Sequence, residues 1–322
     1  MTTTELKQKW AGLSDNTVTR GFRSLRVSPD CICELFIGVS KENRRCLILA
    51  LPEAKHLNFK GIQKENLSIE YFLEKNLIVL QLIDNDYHDL FDDLVLSLYQ
   101  GIKGISYVDE YSNHFIQAFY RWSEFFEDKK SDSLSEDAIK GLMGELLVLK
   151  SLIVDSKRPE INLILNSWKG PYDKGNDFEL EEKNIEVKTK SPSEIDVKIS
   201  SEFQLELSPG KGLELVVVSL LSDFTEGISI KELIFEIKKL VQESFGDNSI
   251  LWKALNQKNI TSKNVNQYDN YRFRPVNSIS YNCGALDFPK LNRSNIPEEI
   301  NALKYNLRTN LLTKFIIEQT DF

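Results

Sequence analysis

The chain has 322 residues, 41% hydrophobic and 27% charged, a globular balance that excludes wholesale disorder and sets a length prior of two domains. No run of about 18 apolar residues occurs, which excludes a membrane-spanning helix, and the opening MTTTELKQKWAG lacks the apolar stretch of a secretory signal. A formal charge of −8 has the wrong sign for a protein that simply coats nucleic acid.

The four cysteines form no CxxC pair and the three histidines stand alone, so reduced thiols in a cytoplasmic setting are expected and any metal has to be held by carboxylates. Charge is uneven. Residues 1–50 carry +3, 51–130 carry −6, 131–250 carry −9 and 251–322 carry +4. The acidic middle is either solvated surface or a place awaiting a divalent cation.

In chain order, residues 18–26, 31–39 and 45–51 read as strands, with turn signals at Ser28-Pro29-Asp30 and Ser40-Lys41-Glu42-Asn43. Residues 67–72 and 77–83 form a hairpin about Glu74-Lys75-Asn76. Apolar spacing then predicts helices over 87–101 and 111–126, the second carrying Phe115, Phe119, Tyr120 and Trp122 as core aromatics. Cys31 and Cys33 read as packing thiols. The polar stretch 127–133 marks a boundary between an α+β domain over 1–130, for recognition or subunit contact, and a domain over 131–322. In the latter the order of helix, strand, strand, helix, strand, helix predicts an α/β domain with a mixed sheet. Residues 200–207 read as a short helix, 213–220 as a buried central strand, 229–244 as an amphipathic helix and 271–283 as a further strand. Ser208-Pro209-Gly210-Lys211-Gly212 is a turn without the spacing of a nucleotide-binding loop.

Three segments carry candidate chemistry. Gly141-Leu142-Met143-Gly144-Glu145 lies on a helix whose Leu142, Leu146, Leu149 and Ile153 form an apolar stripe, so Glu145 is half-buried and needs a partner. Gly141 and Gly144 permit close approach to a sheet. In the strands 176–180 and 184–189, an even loop places Phe178, Leu180, Ile185 and Val187 on one face and the charged residues on the other. That register sets Phe178 opposite Val187 and Asp177 opposite Lys188, and gathers Asp177, Glu186 and Lys188. Adjacent carboxylates repel unless a cation intervenes, and Mg²⁺ takes hard oxygen ligands. A lysine two residues beyond such a ligand is placed to orient or deprotonate an attacking water, or to stabilise charge building on phosphorus. The competing reading of the same residues is a solvated, charged strand face.

Glu145 on a helix, Asp177, and then Glu186-Val187-Lys188 resembles the PD-(D/E)XK nuclease superfamily. More narrowly, GLMGELLVL, Trp168-Lys169-Gly170-Pro171, Asn176-Asp177-Phe178, IEVKTK, and SSEFQLEL before LELVVVSLL resemble an uncharacterised bacterial family of PD-(D/E)XK proteins. The resemblance implies a restriction-endonuclease-like α/β fold, a mixed sheet flanked by helices. It makes Asp177 and Glu186 metal ligands, Lys188 the catalytic lysine and Glu145 the helix carboxylate, reaching the same metal directly or through water. Asn176 stands where the superfamily usually has proline. The implied function is Mg²⁺-dependent hydrolysis of double-stranded DNA, with Mn²⁺ as substitute, in a restriction or phage-defence system. An ATPase and a methyltransferase subunit are candidate partners, and a homodimer is a candidate state. The alternative is a nuclease fold that no longer cuts and serves as a DNA-binding or scaffolding subunit; RNA as substrate stays open. Gln204 is an auxiliary candidate for positioning water or phosphate. Arg272 and Arg274, interleaved with Tyr271 and Phe273, are candidate DNA contacts, as are Arg20, Arg23 and Arg26.

Overall fold

The structure, a computed structural model, describes residues 1–13, 21–53, 55, 57, 59, 61–127, 133–156, 160–172 and 175–322. It divides into two units. Met1–Ser131, Asp247–Lys253 and Thr261–Lys263 make the first; Asp132–Gly246, Ala254–Ile260 and Asn264–Phe322 make the second.

The first unit opens on a helix, α1 (Thr3–Ala11), that the apolar pattern did not announce. Its signal is local: the Thr2 side chain accepts from the Glu5 amide while the Glu5 carboxylate accepts from the Thr2 amide. Six antiparallel strands follow, β1 (Phe22–Arg26), β2 (Glu34–Ser40), β3 (Arg45–Ala50), β4 (Ile62–Gln63), β5 (Leu67–Phe72) and β6 (Leu77–Leu82), in the order β1-β2-β3-β6-β5-β4. The expected strand over 18–26 is β1 from residue 22; positions 18–20, with Arg20, lie outside the described residues. Arg23 donates to the Gly12 carbonyl and Arg26 to that of Cys31. The β5–β6 hairpin turns at Asn76, whose φ of 54° suits asparagine's tolerance of the left-handed region. Helices α2 (His88–Ile102) and α3 (Val108–Ser123) follow, with Phe115, Phe119 and Trp122 fully buried, whereas Tyr120, expected in the core, is exposed. The Trp10 indole and the Arg45 guanidinium both donate to Asp92 Oδ1 at 2.7 Å, which ties α1, β3 and α2 together. Burial outweighs these donors and pushes the Asp92 carboxyl up to about 6. Cys31 and Cys33 are buried, with their sulfurs 3.3 Å apart.

The second unit contains α4 (Glu136–Asp155), α5 (Ile161–Ser167), β7 (Phe178–Glu179), β8 (Lys183–Lys190), β9 (Asp196–Ile199), β10 (Gly212–Ser222) and β11 (Ile228–Ser229). These are followed by α6 (Ile230–Glu243), α7 (Asn248–Gln257, which the division between units cuts), β12 (Arg272–Asn282), β13 (Tyr305–Arg308) and β14 (Ile316–Asp321). The main sheet runs β11-β12-β10-β8-β7, with β14 also on β12. Among the described residues only β8 and β10 pair in parallel, so the sheet is mixed, as expected, with α4 packed on β8 and β10. β9 and β13 form a separate ribbon. Residues 200–207 are turns rather than a helix. The carbonyls of Glu202, Gln204 and Leu205 are taken by distant donors, the Arg293 amide, Asn176 Nδ2 and Asn292 Nδ2, rather than by amides of a following helical turn; Gln204 Oε1 accepts from the Ser200 amide.

Strand β8 separates two chemistries. On one face, Val187 and Thr189 meet α4: a Cβ built on Gly144 would stand 2.3 Å from Thr189 Cγ2 and 3.6 Å from Val187 Cγ1. Glycine is therefore required there for the close approach, whereas Gly141 has open space around it. On the other face, Asn184, Glu186 and Lys188 lie level with Leu213, Leu215 and Val217 of β10. That face is covered by a second apolar layer that includes Val197, Ile199, Leu307, Leu312 and Phe315, so Glu186 is only 2% exposed.

Gly144→Ala forces a methyl into the α4–β8 contact and is expected to cost about 1–3 kcal/mol in urea unfolding. Adding Thr189→Ala removes the opposing methyl and should return most of that loss; a double variant as unstable as the single one contradicts the contact.

Candidate active site

β7 is short, and what fixes the residues around it is a loop. Trp168 bridges Phe178, and the Lys169 and Gly170 amides donate to the Asp177 carbonyl at 2.7 and 3.0 Å. Phe178 pairs with Ile185 and Glu179 with Asn184, a register two residues removed from the expected one. The even parity survives, so the apolar and polar faces sort as anticipated. Asp177 therefore comes level with Glu186 rather than Lys188. The displacement follows from the Asp177 side chain: Oδ2 accepts from the Val187 amide at 2.7 Å and occupies a donor that a longer ladder would have used.

The fold brings Glu145, Asp177, Glu186 and Lys188 together. The buried Trp168 indole donates to Glu145 Oε2 at 2.7 Å. A Cβ built on Gly170 would stand 2.3 Å from Glu145 Oε2 and 2.7 Å from Asp177 Oδ1, so both carboxylates converge on the space that glycine leaves. Lys188 Nζ donates to Glu186 Oε1 at 2.6 Å, and Asn176 Nδ2 to Glu186 Oε2 at 3.2 Å. Lys188 itself is 17% exposed.

Asn176 occupies the position before the aspartate as a buried hub. Its Nδ2 also donates to the Gln204 carbonyl at 2.7 Å, and its Oδ1 accepts from Asn184 Nδ2, which in turn reaches Ser208 Oγ. Gln204 thus meets the cluster through its backbone, while its side-chain oxygen is engaged by Ser200. Arg272 and Arg274 lie elsewhere. Arg274 is level with Leu221, four residues beyond the Val217 that faces Lys188, or about 13 Å along the strand. Arg272 grips both Glu232 oxygens at 3.0 and 2.9 Å, and Arg274 pairs with Asp223 at 3.4 Å.

Burial raises all three acids. It pushes Glu145 up to about 8, reinforced by the nearby Asp177 charge and opposed by the Trp168 donor and Lys258. Asp177 is raised by burial against the Val187 amide, Lys188 and Lys258. Glu186 is pushed up to about 7, its burial exceeding the pull of Lys188. Sequence reasoning passed over Trp168, Gly170, Asn176 and Lys258. The first three stand in or beside quoted motifs, but nothing in their spacing shows which carboxylate each would hold; Lys258 has no local signal at all.

Among the described residues, no three His, Cys, Asp or Glu side chains stand ready as a metal cage. Mg²⁺ needs fewer, since it binds through one or two carboxylates and keeps waters and substrate phosphates. Glu145 and Asp177, hard donors converging across the side-chain space of Gly170, fit that requirement.

A mixed sheet with two carboxylates and a Glu-x-Lys strand at one edge is a PD-(D/E)XK-like α/β architecture. The chain belongs to the family described as "Putative PD-(D/E)XK family member" (DUF4420), which matches residues 6–310. No curated protein and no solved structure matches it.

Because Glu145 keeps its proton to higher pH when folded, its contribution to stability is full below 4.5 and lost as pH rises through about 8. Glu145→Gln keeps the acceptor for Trp168 but cannot ionise. In chelating buffer, urea unfolding should show this variant gaining stability relative to wild type from about pH 5 to about pH 8. A flat or falling difference contradicts the burial argument.

Proposed function

We propose that this protein is a divalent-metal-dependent endonuclease that hydrolyses phosphodiester bonds of double-stranded DNA, as part of a restriction or phage-defence system in the cytoplasm. The observation that carries the reading is the convergence of Glu145 and Asp177 on the Gly170 space, beside the Glu186–Lys188 pair. Asp177, with Glu145 and Glu186, would hold Mg²⁺ or Mn²⁺. Such an ion supplies Lewis-acid polarisation of a phosphoryl oxygen and lowers the pKa of a bound water.

The chain's own groups do the rest. The Val187 amide and the Trp168 indole hold Asp177 Oδ2 and Glu145 Oε2 in fixed positions, so little reorganisation is needed when a phosphate arrives. Lys188 Nζ has one proton on Glu186 and keeps the others for the attacking water or for charge developing on a phosphoryl oxygen. The Glu186 contact fixes where that ammonium stands. The family's nuclease character supports hydrolysis, and an ATPase, a methyltransferase subunit and a second copy of the chain are the partners proposed. Among the described residues no helix is long and apolar enough to cross a membrane.

A second reading, a DNA-binding or scaffolding subunit without cleavage, draws on the ion pairs that neutralise Arg272 and Arg274 and on the engagement of both Glu186 oxygens by protein donors. The test is cleavage of plasmid DNA in Mg²⁺ or Mn²⁺. Asp177→Ala and Lys188→Ala should each lower the rate by at least about a hundredfold in protein that still unfolds cooperatively. Equal activity in all three proteins refutes the assignment, and inactivity of all three favours the scaffold.

A further inference from the structure

At the same end of the sheet as Lys188, the second unit has a cavity of about 250 Å³ that the catalytic group does not use. It opens where β10 ends and β12 begins, and is lined by Ser222, Phe224, Gln267, Asn270 and Tyr271, with Glu136 of α4 on its rim. Val217 lies level with Lys188, and Ser222 is five residues further along β10. Asp177 is level with Glu186 and so with Leu215, seven residues before Ser222; the cavity is thus about 23 Å along the strand from Asp177, or about seven stacked nucleotides.

Its chemistry selects a narrow class of ligand. The volume falls below the roughly 300–1,000 Å³ of sites for drug-sized molecules, so one ring system fits. Phe224 lines the cavity while 75% exposed, and with Tyr271 it offers aromatic surface for stacking. Gln267 and Asn270 bring amides that both donate and accept. A phosphate or carboxylate is disfavoured. Arg272, the cation of the lining, already has Glu232 and the Gly227 carbonyl, and Glu136 makes no ion pair among the described residues. A neutral, planar ligand with polar edges, including an N–H for Glu136, meets these conditions.

Along α4, Lys140 stands between Glu136 of the cavity lining and Glu145, one turn from the former. Its ammonium rests on Ser191 Oγ at 3.2 Å, just past the end of β8, and makes no ion pair among the described residues. Lys190 donates to the Glu194 carbonyl at 2.6 Å, and the Glu194 carboxylate accepts from the Ser191 amide at 2.6 Å, which leaves Lys140 as the cation to meet a phosphate.

We propose that this cavity takes an unpaired nucleobase of the strand whose phosphodiester lies at Asp177, with Lys140 holding the backbone between the two places. The inference rests on the nuclease reading and adds to it the substrate class, DNA with an unpaired stretch beside the cleavage point. A paired base cannot enter, because its polar edge is occupied and its faces are stacked.

The test uses the full chain in EDTA, so that binding is read without cleavage. The probes are a duplex with a seven-nucleotide single-stranded gap containing 2-aminopurine, and the fully paired duplex of the same sequence. Wild type should bind the gapped probe more tightly and change its 2-aminopurine fluorescence. Phe224→Ala should weaken gapped binding by about tenfold while leaving paired binding as it was, and Lys140→Ala should weaken both and lower the salt dependence. Equal affinity for the two probes, no binding to either, or a Phe224→Ala variant that keeps the full preference overturns the proposal. Gap preference lost on Phe224→Ala, in a protein that cuts neither probe in Mn²⁺, upholds the base site and removes the nuclease reading. Cleavage without gap preference does the reverse.

Discussion

Three carboxylates brought out of water into one place repel, and the second unit is arranged around that repulsion. Two unit charges roughly 5 Å apart, at an effective dielectric near 20, oppose each other by about 3 kcal/mol. The fold answers with a separate donor for each acid: the Trp168 indole for Glu145, the Val187 amide for Asp177, and Lys188 with Asn176 for Glu186. These donors do not cancel the burial, since all three acids remain raised. Incomplete compensation is what a site for a hard cation requires. A cluster already neutralised by protein donors would have no free energy left to give an ion.

The positions of the donors follow from a few close approaches. Gly144 lets α4 settle onto Thr189, which sets the height of Glu145 above the sheet. The 168–170 loop then holds Glu145 by its tryptophan and the Asp177 backbone by its amides, leaving the Gly170 side-chain space between the two carboxylates. Under the opposite face, the apolar layer over β10 keeps water from Glu186 and so strengthens its interaction with Lys188. Stability and chemistry therefore draw on the same contacts.

Much of this was legible in the sequence because it depends on parity and period. Alternation in 176–180 and 184–189 sorts the two faces alike in any even register, so Asp177 and Glu186 share a face with Lys188 even though the ladder is two residues from the expected one. The apolar stripe of α4 located Glu145, and the capping pair Ser229 and Glu232 starts α6 where its pattern begins. What stayed hidden depends on tertiary partners. Nothing local says that Trp168 will meet Glu145, that Asn176 will bridge Glu186 to the Gln204 carbonyl, or that Arg272 will be taken by Glu232. The expected helix over 200–207 yielded to tertiary donors that take the Glu202, Gln204 and Leu205 carbonyls, partners that periodicity does not register.

The proposed cation site rests on Glu145 and Asp177, with Glu186 beside them. Crystals grown in Mn²⁺ and measured at the manganese absorption edge decide whether an ion binds there. An anomalous peak is expected between Glu145 and Asp177, within reach of Glu186 and over the Gly170 backbone. No peak there at saturating Mn²⁺, with the three carboxylates still on their protein donors, would contradict that site.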